Sequence, residues 1–382
     1  MRQPAPHRRS PGAAIVARRA AAVALALAGF GAGPADAVLL GTDDPTGNTV
    51  SEPPSPDPGL GNVAVIDVFT GVYLRNGWVL TAAHVGVKPT RLAGRTYDPV
   101  PGSAVILQNP GGGNADLMVF KLLDAAPALR RLEITDTAPT LGLDVTLIGH
   151  GLNRGVALPK ILGHDGWDWG VGWVTRWGTN AISDLDADGR FSIPTESFAM
   201  RFDDIAEPAP GQHEAHCTHG DSGGPVFGGA GARLVGILIN TVSTLPSQPV
   251  GSSYFTNHCV AADLFQFRSQ IRAVVDQPAC SDGLDDDGDG LTDHPEDPGC
   301  ASPLDADERG PDSTCDDRVD EDRDGVADYP NDPKCASPTS DGEPLQAPSA
   351  SLGGGLLAAA LYAATARLLP APTSVSVSVD AD

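Results

Sequence analysis

The chain has 382 residues, of which 41% are apolar and 19% charged, with 45 glycines and 34 prolines. That mix disfavours helical bundles and coiled coils and suits short strands joined by turns. A formal net charge of -24 opposes binding to a nucleic-acid backbone, and no internal apolar run is long enough for a polytopic membrane protein.

The charge is unevenly spread. Residues 280–343 hold 22 acidic and 4 basic side chains, whereas 38–279 hold 24 and 15. A boundary near 277 therefore separates a mildly charged body from an acidic module.

In chain order, the N-terminus carries Arg2, Arg8, Arg9, Arg18 and Arg19, an apolar run from Ala20 to Ala32, and Ala35-Asp36-Ala37. This is the pattern of a signal peptide over 1–37, leaving Val38 as the mature start. Export permits disulfides, and the six cysteines are an even number. After the turn-rich segment 43–61 come apolar runs at 63–68, 72–80, 103–107, 117–122, 145–149, 170–174, 198–202, 225–227 and 234–240, separated by Gly, Pro, Asn and Asp. Many short strands with turn signals predict an all-β antiparallel sandwich or barrel. Residues 261–275 alone read as a helix, with Leu264, Phe265, Phe267, Ile271, Val274 and Val275 as its apolar positions.

Three segments carry candidate chemistry: WVLTAAHV (78–85), NADLMVFKL (114–122) and HGDSGGPVF (219–227). A serine hydroxyl is a weak nucleophile and needs an adjacent base, which in turn needs an orienting acid. Together, and in this order, the segments resemble the chymotrypsin/trypsin (S1) family of serine proteases over nearly all of 38–276. LGLDVTLIGHG (141–151) and the helix are similar to further family elements.

The resemblance implies two antiparallel six-stranded β-barrels with a C-terminal helix. It implies His84 as general base, Asp116 as its orienting acid and Ser222 as nucleophile, with backbone N–H groups of Gly220 and Ser222 forming the oxyanion hole. It implies that the Val38 amine, in VLLG, pairs with Asp221, and that Cys217 bonds Cys259. The family's disulfide around the histidine is replaced here by Phe69 and Val85, an apolar pair that can pack instead. Cys217 stands one residue further from the serine than the family pattern, which leaves the pocket floor open among Ala215, His216 and Cys217. None is acidic, so an Arg/Lys preference is not supported. No cofactor is expected for catalysis.

Other clusters have plainer readings. His213, His216, Cys217 and His219 lie in HEAH and its flank, which is not a HExxH zinc pattern, so they read as pocket-lining or surface groups. Trp167, Trp169, Trp173 and Trp177 read as packing. Asp184, Asp186 and Asp188 start like a calcium loop, but its twelfth position is Thr195, so a polar turn is preferred.

The acidic module is a repeat. CSDGLDDDGDGLTDHPEDPGCASP (280–303) returns as CDDRVDEDRDGVADYPNDPKCASP (315–338), a period of 35, with cysteines 20 apart in each. Asp285, Asp287, Asp289 and Asp293 occupy positions 1, 3, 5 and 9 of a calcium-loop pattern, as do Asp320, Asp322, Asp324 and Asp328; position 12 is Glu296 or Asn331. Pro295 and Pro330 rule out a flanking helix, so the repeats resemble thrombospondin type 3-like or dockerin-like calcium loops. Calcium is the expected ligand, with bridges Cys280–Cys300 and Cys315–Cys335.

The expected organisation is a signal peptide (1–37), a trypsin-like domain (38–276), two calcium repeats (277–343) and a low-complexity tail (344–382). The tail reads equally as an unstructured end or as a segment for cell-surface or membrane attachment. The functional expectation is a secreted, monomeric, bacterial serine endopeptidase acting on protein or peptide substrates. A non-catalytic protease-like surface binding or adhesion protein and a serine esterase are the alternatives.

Overall fold

The computed structural model describes residues 38–41, 47–124, 127, 129–206, 208–209, 212–310 and 313–342. The leader and the tail expected from the sequence lie outside the described residues.

The first half of the body is a seven-stranded antiparallel sheet. Its strands are β1 (Val63–Ile66), β2 (Phe69–Arg75), β3 (Trp78–Thr81), β4 (Thr90–Leu92), β5 (Arg95–Tyr97), β6 (Val105–Gln108) and β7 (Asn114–Lys121). Their spatial order is β5-β4-β1-β2-β3-β7-β6. The apolar run 72–80 is in fact a hairpin, turned at Asn76-Gly77, both with positive φ.

The second half is a closed six-stranded barrel of β8 (Asp144–Gly149), β11 (Arg176–Asp184), β12 (Ser197–Arg201), β13 (Pro225–Gly228), β14 (Arg233–Val242) and β16 (His258–Asp263). Beside it, β9 (Arg154–Ile161), β10 (His164–Trp169) and β15 (Ser252–Tyr254) form a three-stranded sheet. The expectation of two closed barrels is therefore corrected to one barrel and one open sheet. The open edges are short or exposed: β5 has three residues, and Val105 and Ile106 on β6 face solvent. Residues 170–174 are not a strand, since the insertion pairs as the β9–β10 hairpin instead.

Among the described residues, two α-helices complete the body. The first, α1 (Ala187–Phe191), is a single turn beyond Asp184 and Asp186, and α2 (Leu264–Val275) closes the domain. The α2 helix starts three residues later than the sequence suggests because 261–263 still belong to β16 and Asp263 accepts the amide of Phe265 as N-cap. Leu264, Phe267, Ile271 and Val275 recur on one face and are buried in the main apolar cluster.

Beyond α2, residues 282–342 contain no strand or helix among the described residues. Disulfides join Cys280 to Cys300 and Cys315 to Cys335, and a third joins Cys217 to Cys259 in the barrel.

Candidate active site

His84 sits in a single 3-10 turn, Ala83–Val85, directly after β3, and Asp116 lies on β7, which pairs with β3. This adjacency brings the two side chains together: His84 Nδ1 is 2.7 Å from Asp116 Oδ2, and the His84 amide donates to Asp116 Oδ1 at 2.9 Å. The carboxylate thus fixes both the turn and the ring. Thr195 supports it from the other half, its Oγ1 accepting the Asp116 amide at 2.8 Å.

Ser222 comes from the loop that enters β13. Gly220 and Gly223 in this loop have positive φ. A Cβ on Gly223 would fall 1.9 Å from the carbonyl oxygen of Thr70, so only glycine fits there. Thr70 on β2 ties the loop to the open sheet, its amide donating to Ser222 O at 3.0 Å and its hydroxyl to Gly220 O at 2.8 Å. Among the described residues, the N–H groups of Gly220 and Ser222 have no protein acceptor.

A cleft of about 370 Å³ runs between the halves, lined by His84, Asp116 and Ser222 together with Trp169, Cys217, Ile239 and Thr241. His84 and Ser222 share this cleft without a direct hydrogen bond among the described residues. Such bonds commonly tighten only when substrate arrives. Among the described residues, no Asp, Glu, Lys or Arg other than Asp116 lines the cleft, and His219 is the titratable side chain there besides His84 and Asp116.

Asp221 is completely buried. It accepts hydrogen bonds from the Thr218 amide (2.7 Å), the Thr218 hydroxyl (3.0 Å) and the Gly151 amide (2.8 Å), and the backbone N–H of Val38 also donates to it. Burial raises its pKa to about 6 against the lowering effect of those donors. The Gly149-His150-Gly151 turn makes room for it, since a Cβ on either glycine would fall 2.0 or 2.7 Å from the carboxylate. Val38 itself is 1% exposed and packs with Leu40 and Ala215.

Of the three candidate floor residues, Cys217 lines the cleft and Ala215 packs behind it against Val38. His216 points elsewhere, against Phe202 and Ser253, and burial lowers its pKa to about 3. Phe69 and Val85 join the same apolar cluster, and the Phe69 ring also meets His84 and His219 edge-on. Trp167 packs on Phe202 and Phe255, and Trp177 is buried, whereas Trp173 is 38% exposed beside His219. Asp184 pairs with Arg190, in keeping with a polar turn.

In the acidic module, oxygens of Asp285, Asp287 and Asp289 lie within 4.8 Å of one another, as do those of Asp320, Asp322 and Asp324. Position 9 does other work: Asp293 accepts the amide of Gly283, and Asp328 accepts those of Asp317 and Arg318. Glu296 and Asn331 are exposed, while their neighbours Asp297 and Asp332 are each 1% exposed. Oxygens of Asp287, Asp289 and Asp297 are buried with no hydrogen-bond partner among the described residues.

Thr70, Thr195 (read from the sequence only as the twelfth position of a disfavoured calcium loop) and Asp297 were not assigned a role at the site from the sequence. The first two act across the domain, with no local signal. Asp297 repeats as Asp332 in the second module, a periodicity that could have found it.

Residues 69–237 match the family model described as trypsin-like peptidase domain, a stretch that contains His84, Asp116 and Ser222. No curated protein sequence matches the chain. Among solved structures, neuropsin, a serine protease expressed in the limbic system of mouse brain, is 17% identical with a TM-score of 0.39, covering 56% of this chain and 95% of its own. Kallikrein-related peptidase 10 is 21% identical with a TM-score of 0.35, covering 55% of this chain and 89% of its own. Its complex with Zn2+ is 19% identical with a TM-score of 0.35, covering 56% and 93%. By its family match, the central stretch of this chain is similar to trypsin-like peptidase domains.

Proposed function

We propose that the chain is a secreted serine endopeptidase. The observation that carries this is the His84–Asp116 pair at 2.7 Å on the wall of the cleft that holds Ser222. In the reaction, His84 removes the Ser222 proton as Oγ attacks the scissile carbonyl, and returns it to the leaving amine. Asp116 holds the ring and stabilises its cation. The N–H groups of Gly220 and Ser222 stabilise the developing oxyanion, each such donor contributing about 3–4 kcal/mol to the transition state. Water then repeats the attack on the acyl-enzyme. The triad roles follow a general template for this chemistry.

Cleavage after Ala37 would put an ammonium at Val38 against the buried Asp221 carboxylate. The three disulfides fit export. Calcium in the acidic module belongs to the same reading. Buried, unpartnered oxygens of Asp287 and Asp289 suit a hard cation that takes oxygen ligands, with Asp285 completing the set. In the second module Asp320, Asp322 and Asp324 take these places, with the Lys334 ammonium against Asp322 and Asp324. When bound, the cation supplies structural charge compensation and takes no part in bond cleavage.

The test is labelling of the wild type and of Ser222→Ala by a fluorophosphonate, followed by a peptide-library digest. Labelling of the wild type alone, with cleaved peptides, is the expected result. No labelling would favour a non-catalytic surface-binding protein, and labelling without cleavage would favour an esterase.

A further inference from the structure

The acidic module is fastened to the body at the far end of the strand that carries Asp116. β7 presents Asp116 near its start and ends at Lys121, whose side chain is 4% exposed. The Lys121 ammonium is 2.6 Å from Asp282 Oδ2 and also pairs with Asp286. The next turn is held as well. The Asp124 amide donates to Asp286 O at 2.8 Å, and Arg309 and Arg318 both reach the Asp124 carboxylate. Gly288 lies over Leu123, where an added Cβ would sit 3.4 Å from the side chain.

Asp286 stands between Asp285 and Asp287, two of the clustered carboxylates. The residue that grips Lys121 is thus part of the loop whose own charges repel. A second observation points to a ligand there. Asp287 and Asp289, 5% and 7% exposed, each keep a buried oxygen without a hydrogen-bond partner beside Asp285.

We propose that a divalent cation held by Asp285, Asp287 and Asp289 braces β7 through Lys121. The cation cancels the repulsion within the loop and so keeps Asp282 and Asp286 on the ammonium. A buried ammonium stripped of both carboxylates is strongly unfavourable, so the strand end moves when the loop opens. That movement reaches Asp116, five residues away on the same strand. Lys121 is then a positioning residue for the His84–Asp116 pair. The inference rests on the calcium reading above.

The experiment uses the full chain and calcium itself. Calorimetry reports binding. Thermal unfolding and the pH profile of fluorophosphonate labelling, with calcium and after chelation, report the brace. For the wild type, chelation is expected to lower Tm, slow labelling by about tenfold and shift the pH midpoint, because small misplacements of catalytic groups are costly. Lys121→Met is expected to bind calcium yet label at a rate indifferent to it, and Lys121→Arg to restore the dependence. Should Lys121→Met fail to fold, Asp286→Asn tests the same contact and is expected to weaken the calcium dependence while calcium heat persists. Calcium heat in the wild type with unchanged Tm and labelling overturns the brace and leaves the calcium reading standing. Absence of calcium heat overturns both. A wild type that binds calcium but never labels removes the protease reading, and Tm alone then decides the brace.

Discussion

The body buries a continuous apolar cluster running from Leu60 through β2, β3 and β7 to Val275, whereas the buried apolar side chains among the described residues of 277–342 are Ala279 and four half-cystines. In place of a core, the module has two disulfides, Arg309 between Asp316 and Asp328, and carboxylates folded onto backbone amides. Apolar burial is indifferent to ions, but a carboxylate cluster is not. One chain therefore joins a part stable by packing to a part held by disulfides, ion pairs and carboxylate–amide hydrogen bonds, the part on which the proposed cation would act.

The largest effect that sharpens this contrast is catalytic and confined to the body. Ser222→Ala is expected to lower peptide hydrolysis by about a millionfold, the scale seen when a triad acts as a unit. Module stability, read by calcium-dependent unfolding, is expected not to change.

Next come the two kinds of stability. Phe267→Ala removes a ring with 0% exposure from the face of α2, and denaturant unfolding is expected to show a loss of about 3–5 kcal/mol, independent of calcium. Replacing Cys280 and Cys300 by alanine opens a loop with 20-residue separation. The expected loss is about 3 kcal/mol, felt in the module and largest after chelation. An equal dependence on calcium for both variants would break the comparison.

Acidity separates cut from uncut chains. The Asp221 carboxyl titrates near 3.8 when unfolded and about 6 when folded with the 37–38 peptide bond intact. The folded state therefore holds the proton more tightly. This contribution is fully present below pH 3.8 and is lost as pH rises through about 6, a change of about 3 kcal/mol. A chain beginning at Val38 carries an ammonium beside Asp221 and is expected to gain on the uncut chain over that window. Parallel Tm-versus-pH curves for the two chains would remove the pairing of Val38 with Asp221.

The smallest effect lies within the module. The position before the second half-cystine is Gly299 in the first repeat and Lys334 in the second, where the ammonium contacts Asp322 and Asp324. Lys334 competes with a cation there. Calorimetry is expected to show one tight calcium site in the wild type and two in Lys334→Ala.

The positions of His84, Asp116 and Ser222, the cysteine spacings and the aspartate repeat were legible because each depends on residue types at short, fixed separations. Other features rest on contacts across long separations. Thr70 meets Gly220 across 150 positions and Lys121 meets Asp286 across 165, with no local pattern to mark either pair. The closing of one sheet but not the other was likewise decided by which edge strands find a partner, and the burial of Asp297 rather than Glu296 is set by the tertiary packing of the module. Local chemistry is written in neighbouring side chains, whereas the brace on β7 exists only where the folded body and the acidic module meet.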